Sequence, residues 1–184
     1  SILNKFQRID LLMLLFSAKS MISLGNPWAS IGQNQAYKKT LYARLNGFKS
    51  ISQYLQGDDT LFLQLAVHNG AKVIFNNNPK SYVVSRTELS WISLLLQRGR
   101  WSGDANLMWK FNIGFYIMAL SLWLMSTGLI ILLIINYFNL LLVILLFKIL
   151  FESLLYILGS RIFIHRIQYF DFLIWFIIHP VYVF

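Results

Sequence analysis

Two adjacent carboxylates in the middle of the sequence could perform proton chemistry. Asp58 and Asp59 stand together in "GDDTLFLQLAVHNG", directly before a segment with helical apolar spacing. A carboxylate at a loop-to-helix junction can take a proton from a hydroxyl group, which is the role of a general base. The alternative is that one of the two acids only caps the helix that begins at Thr60, since Asp is a preferred N-cap residue.

A second block, "LLLQRGRWSGD", combines cationic and aromatic side chains. It contains Gln97, Arg98, Arg100 and Trp101, and an uncharged segment begins shortly after it. The forked guanidinium group of arginine binds phosphate oxygens in pairs, and the face of an indole can stack on a sugar ring. Arg and Trp are also common where helices enter a bilayer. The residues alone leave both interpretations open.

Composition divides the chain into a basic part and an apolar part. Of the 184 residues, 57% are hydrophobic and only 12% are charged, against about a quarter in soluble proteins. Residues 1–112 contain 13 Lys and Arg and 5 Asp and Glu, a net charge of +8, whereas residues 113–184 have a net charge of +1. Such basicity suits an anionic bilayer or a phosphorylated ligand. The charges form no continuous run, which argues against nucleic acid.

The chain contains no cysteine, which excludes disulfides and thiolate metal sites. His68 has no second ligand at a metal-binding spacing, so the sequence predicts no metal site.

The apolar part predicts membrane helices. Residues 113–135 contain no charge, and a helix of that length reaches about 34 Å, enough to cross a hydrocarbon core of about 30 Å. Residues 137–158 predict a second span, and residues 162–184 predict an interfacial helix and part of a third. Lys148 and Glu152 lie four residues apart in the second span. They either neutralise each other or belong to a conduction path.

The distribution of positive charge predicts the orientation. Arginine and lysine flank the first span on its N-terminal side and the second on its C-terminal side, and the loop between them has neither. The positive-inside rule therefore places residues 1–112 in the cytoplasm. Within that part, helical spacing alternates with two short β-branched runs, "AKVIF" (71–75) and "SYVVS" (81–85), which predict strands and a mixed α/β domain.

The order of the blocks resembles the C-terminal half of membrane-bound family 2 glycosyltransferases, the group related to hyaluronan, chitin and cellulose synthases. "GQNQAYKKTLYARLNGF", "GDDTLFLQLA" and "QRGRW" precede paired apolar segments, and the match extends over essentially the whole chain. The resemblance implies an α/β fold. Residues 1–112 would be the C-terminal part of a GT-A-like catalytic domain in the cytoplasm. The protein would be an integral membrane enzyme, of a bacterial inner membrane, that transfers a sugar with inversion.

The resemblance also assigns roles to individual residues. Asp59 would be the base that deprotonates the acceptor hydroxyl. The other candidates would bind substrates: Asp58, Gln97, Arg98, Arg100 and Trp101 at the acceptor and diphosphate, and Gly32 and Asn34 in the donor-sugar pocket.

The family's cofactor and partners follow from the same resemblance. A divalent cation, Mg²⁺ or Mn²⁺, is expected in the full-length enzyme, held by an Asp-x-Asp motif that does not occur here, and the chain is therefore interpreted as a fragment. The expected partners are a nucleotide-sugar donor, a glycan or lipid acceptor, and membrane lipid. The competing hypothesis is a non-catalytic membrane protein whose basic juxtamembrane domain binds anionic lipid. That hypothesis gives no reason for the Gly-Asp-Asp block or for a Gln three residues before Arg-Trp.

Overall fold

The computed structural model describes residues 1–54 and 57–183, which fold into seven α-helices joined by loops and short 3₁₀ turns. The α-helices are α1 (Ile2–Ser23), α2 (Lys39–Arg44), α3 (Thr60–His68), α4 (Trp91–Phe111), α5 (Ile113–Ile134), α6 (Phe138–Ile162) and α7 (Tyr169–Val183). The 3₁₀ turns are Gly32–Asn34, Lys49–Ile51 and Pro79–Ser81.

The predicted α/β, GT-A-like fold is wrong, because the described residues contain helices and no strand. Residues 71–75 are irregular, and of the predicted strand 81–85 the first residue ends a 3₁₀ turn while the rest is irregular. The β-branched side chains of these runs favour an extended backbone. A strand also needs a neighbour whose N–H and C=O groups pair with its own. Val84 is 96% exposed and Ile74 is 76% exposed, so these side chains do not pack as members of a sheet would.

The helix predicted after the two acids is confirmed. Helix α3 begins at Thr60, and the carboxylate of Asp59 accepts a hydrogen bond from the Thr60 amide. The helix ends at His68, and Gly70 follows with φ +76°. Glycine adopts this left-handed conformation without the steric cost that a side chain adds. Local signals therefore determine both ends of α3.

The chain divides into two compact units. We call Ser17–Arg86 with Ile92–Ile117 the basic unit, and Ser1–Phe16 with Thr87–Trp91 and Met118–Phe184 the apolar unit.

The basic unit has a small hydrophobic core built around α3. Leu61 and Phe62 are fully or almost fully buried, and Met108 of α4 is fully buried in the same cluster. The rings of Tyr42 and Phe48 lie 5.8 and 5.3 Å from that of Phe62, centroid to centroid. This packing fixes the position of α3, and hence of the acids at its N-terminus.

Two helices of the described chain, α5 and α6, are long and apolar enough to cross a membrane. Their bounds agree with the predicted spans at 113–135 and 137–158 to within four residues. Helix α7 is shorter, at 15 residues, and contains Pro180. Phe184, the last residue of the predicted third segment, lies outside the described residues.

The first sixteen residues pack on α6 and α7 within the apolar unit. A Cβ atom on Gly159 of α6 would lie 3.2 Å from the Cβ of Phe16, so glycine permits the close approach of the two helices. The indole N–H of Trp175 in α7 donates to the carboxylate of Asp10 at 3.3 Å. Glycine and this buried hydrogen bond thus attach the first half of α1 to α6 and α7.

Candidate functional site

The carboxylate of Asp59 is oriented by two backbone amides. One oxygen accepts a hydrogen bond from the Thr60 amide at 2.5 Å, and the other accepts from the Gly32 amide at 2.8 Å. The second bond joins segments that are 27 residues apart. Asp59 forms no ion pair within the described residues, and its side chain is half-buried. Each carboxylate oxygen has two lone pairs, so both oxygens keep the capacity to accept a further proton or hydrogen bond.

Gly32 leaves room for this carboxylate. A Cβ atom at position 32 would lie 3.3 Å from Oδ2 and 3.5 Å from the Cβ of Asp59. The absence of a side chain, rather than an unusual backbone angle, therefore allows the 3₁₀ turn Gly32–Asn34 to approach Asp59. Asp59, which the resemblance makes the catalytic base, is thus in contact with Gly32, which the resemblance places in the donor-sugar pocket.

The neighbours of these residues hold the same turn in place. The side-chain amide of Asn34 donates to the carbonyl of Ser81 at 2.8 Å, and that of Gln35 donates to the carbonyl of Asp59 at 3.1 Å. Asp58, by contrast, is exposed. Of the two adjacent acids, Asp59 is the one whose side chain is fixed by other segments.

A buried amide network near Asp59 was not predicted from the sequence. Gln64 of α3 is fully buried, and its amide donates to the carbonyls of Pro27 and Trp28 at 2.8 and 2.7 Å. The Asn112 amide donates to the carbonyl of Pro27 at 3.2 Å. These bonds anchor the chain that leads to Gly32. The available signal was a glutamine inside the apolar pattern of α3, which a buried helix face tolerates only when its amide is bonded.

The Gln-Arg-Trp block lies in the middle of α4. Gln97, Arg100 and Trp101 are spaced i, i+3 and i+4, and side chains at these spacings share one face of a helix. Arg98 stands three residues before Trp101, and its guanidinium carbon lies 3.9 Å from the centre of a Trp101 ring. One face of the indole is therefore covered by a cation, in a cation–π contact.

Trp101 lies on a stripe of α4 that is buried at both ends. Leu94 and Met108, seven residues before and after it, are both fully buried. A seven-residue spacing returns to nearly the same face of a helix, with a drift of about 20°. Trp101 is nevertheless 39% exposed. This face of α4 is thus buried at Leu94 and Met108 but exposed to solvent between them, at Trp101.

The candidate residues form two groups within the basic unit. Gly32 and Asp59 are in contact, with Asn34 in the same turn as Gly32, and Arg98 and Trp101 are in contact on α4. The resemblance assigns both Asp59 and Trp101 to the acceptor, and that shared role stays a prediction.

The described residues include no group of three or more His, Asp or Glu side chains that could hold a metal ion. The divalent cation expected in the full-length enzyme would be held by the Asp-x-Asp motif, which this chain does not contain.

Comparison with known proteins gives no further identification. No family model, curated protein or solved structure matches the chain.

Proposed function

We propose that the protein is an inverting glycosyltransferase. It moves a sugar from a nucleotide-diphosphate donor to a glycan or lipid acceptor at the cytoplasmic face of a membrane. The membrane we propose is the inner membrane of a bacterium. The hydrogen bond from Gly32 to Asp59 carries this proposal. It joins the predicted catalytic base to the segment predicted to line the donor-sugar pocket, and it leaves the carboxylate able to accept a proton. The apolar helices α5 and α6 support a position at a membrane.

The reaction needs one base and a stabilised leaving group. Asp59 takes the proton of the acceptor hydroxyl as that oxygen attacks the anomeric carbon. The bond from this carbon to the diphosphate breaks, and the nucleoside diphosphate departs with the bonding electrons. Arg100 and Gln97 share a helix face and bind the diphosphate oxygens, on which negative charge develops. The partly exposed indole of Trp101 stacks on the acceptor sugar.

A donor panel tests the proposal directly. Membranes that contain the full-length protein are incubated with radiolabelled nucleotide-diphosphate sugars, and label is measured in the lipid and polymer fractions. We expect label to be transferred from at least one donor. Membranes with the Asp59→Asn variant are the control. Absence of transfer from every donor, or equal transfer by the variant, would contradict the proposal and favour the lipid-binding hypothesis.

Gly32→Ala is expected to lower sugar transfer roughly tenfold with little loss of stability. The added methyl group would stand 3.3 Å from the Asp59 carboxylate, which must move by a few tenths of an ångström. Displacements approaching 1 Å can cost about 10²-fold in rate. Initial rates and thermal unfolding of the purified variant check this expectation.

The matched control for Gly32→Ala is Gly103→Ala in α4, where an added Cβ has no neighbour within 4 Å. This change should leave transfer unaltered and stabilise the helix by about 0.5–1 kcal/mol. Equal activity of the two variants would mean that the position of the Asp59 carboxylate does not matter for transfer.

Trp101→Ala is expected to raise the KM for the acceptor several-fold, up to about tenfold, because aromatic stacking contributes about 0.5–1.5 kcal/mol. Hydrolysis of the donor in the absence of acceptor should change less, since stacking concerns the acceptor only. Trp109→Ala is the control, because Trp109 is exposed on the same helix and also has a cation over its ring. An equal loss of acceptor use and donor hydrolysis in the Trp101 variant would contradict the stacking role.

A further inference from the structure

The apolar unit contains a basic cavity that the proposed transfer reaction does not use. It has a volume of about 610 Å³ and lies where the first turns of α1 meet the loop between α6 and α7. Three of its lining residues are cations, Lys5, Arg8 and Arg166, and one is an acid, Asp171. The cavity therefore has a formal excess of two positive charges.

Asp171 forms ion pairs with Lys5 and Arg8 and leaves both side chains partly exposed. The Nζ atom of Lys5 lies 2.9 Å from one oxygen of Asp171, and Arg8 contacts the other. The Asp171 side chain is only 6% exposed, whereas those of Lys5 and Arg8 are 43% and 42% exposed. A buried carboxylate thus holds two cations whose side chains remain partly exposed.

Much of the hydrogen-bonding capacity of the cavity is unused. Arg8 contacts both Asp171 and Gln168 through Nη2, which leaves Nη1 and Nε without a partner among the described residues. Arg166 is exposed and forms no hydrogen bond or ion pair within the same part of the chain. Guanidinium groups with free N–H donors bind phosphate oxygens in pairs. The first turn of α7, which begins at Tyr169, adds backbone N–H groups that have no acceptor within the helix itself.

Apolar side chains surround these charges. Tyr169 and Phe170, which also line the cavity, are 66% and 70% exposed, and Ile164 in the preceding loop is 76% exposed. Exposed aromatic rings beside cations are typical of the bilayer interface, where lipid phosphates lie. The loop directly follows α6, which is long and apolar enough to span a membrane. A ligand with a phosphate group and an apolar tail would match both features.

We propose that Lys5, Arg8 and Arg166 form a binding site for a phosphate ester. A phospholipid headgroup is the ligand that the surrounding apolar side chains favour, and a free phosphate compound shares the same chemistry. In this proposal the ligand binds in one cavity with named lining residues. The competing hypothesis instead attributes lipid binding to the overall positive charge of the basic domain. It is independent of the glycosyltransferase proposal, since none of its residues belongs to the candidate transfer site.

Binding to the full chain in a neutral detergent tests the site with three probes. Dioctanoyl phosphatidic acid has both phosphate and tails, dioctanoylglycerol has only the tails, and inorganic phosphate has neither tails nor ester. Affinities are measured by thermophoresis. We expect phosphatidic acid to bind more tightly than either other probe. If inorganic phosphate bound as tightly as phosphatidic acid, the result would support the proposed site and identify a free phosphate compound as its ligand. Failure of both phosphate probes to bind, or equal binding of dioctanoylglycerol and phosphatidic acid, would overturn the proposal.

Single charge removals distinguish the cavity from general surface charge. Arg166→Gln should weaken phosphatidic acid binding roughly tenfold, the effect of losing one charge-assisted contact. Because Arg166 has no hydrogen-bond or ion-pair partner among the described residues, the variant should fold, which circular dichroism checks. Lys5→Gln is a second variant, in which Arg8 still neutralises Asp171. Arg161→Gln is the matched control, an exposed arginine at the end of α6 outside the cavity. Equal weakening by Arg161→Gln and Arg166→Gln would overturn the proposal.

Discussion

Replacing Asp59 with Asn is expected to lower sugar transfer by about 10²- to 10⁴-fold, the usual contribution of a general base. The carboxamide has nearly the same shape as the carboxylate, but it cannot take a proton from the acceptor hydroxyl. Transfer rates of the purified variant and the wild type, measured with the donor identified by the panel, check the expectation.

The fold should largely survive this change. Asn is as good an N-cap as Asp, so α3 should still begin at Thr60. One of the two amides that now bond to the carboxylate would face an NH₂ group instead, at a cost of about 1–3 kcal/mol. Thermal unfolding should therefore show a moderate shift, far smaller than the effect on transfer.

Comparison of Asn with Ala at position 59 separates the base from the cap. If Asp59 only caps α3, the Asn variant keeps its activity and the Ala variant loses stability and activity together. If Asp59 is the base, both variants are inactive, and only the Ala variant loses the cap. Asp58→Asn, in the same turn but exposed, should lower transfer less than about tenfold because no other segment fixes that side chain. Near wild-type transfer by Asp59→Asn would refute the role as base.

Local sequence signals predicted helices α3 and α5 closely. The acids before Thr60 and the glycine at position 70 bound α3, and the uncharged length of residues 113–135 gave α5 almost to the residue. Such features depend on a few neighbouring residues, so the sequence contains them directly. The resemblance pointed to Gly32, and the structure adds a physical reason, which is the space that the Asp59 carboxylate occupies.

Pairings between distant segments could not be predicted in this way. The β-branched runs at 71–75 and 81–85 suit strands, but strand formation depends on a partner that local propensity does not specify. The bonds from Trp175 to Asp10 and from Lys5 to Asp171 join residues more than 160 positions apart. Nothing in the local pattern of α1 indicates that its first half packs on α7. The cavity at Arg166 arises from this unpredicted packing.

Replacing Lys148 with Met is expected to destabilise the protein by about 3–5 kcal/mol, the usual cost of breaking one side of a buried ion pair. Lys148 and Glu152 are ion-paired four residues apart on α6 and are 5% and 9% exposed. The Nζ atom of Lys148 also lies 4.1 Å from the centre of the Phe176 ring of α7. Without the lysine, Glu152 would remain buried with no opposite charge beside it. Loss of tryptophan fluorescence on heating, in the same detergent as the wild type, measures the change.

The double variant Lys148→Met/Glu152→Leu distinguishes a structural pair from a functional one. Removal of both charges makes this face of α6 apolar. The replacement of a buried ion pair by apolar residues is often neutral or stabilising. The double variant should therefore be more stable than Lys148→Met alone. If the double variant were no more stable than Lys148→Met, the loss of the lysine would not leave Glu152 as a destabilising, unpaired charge.

If the double variant is stable and transfers sugar normally, the pair serves to join α6 and α7. If it is stable but inactive, the two charges belong to a path for the product or for ions, because charges buried in an apolar helix are costly and persist where they have a function.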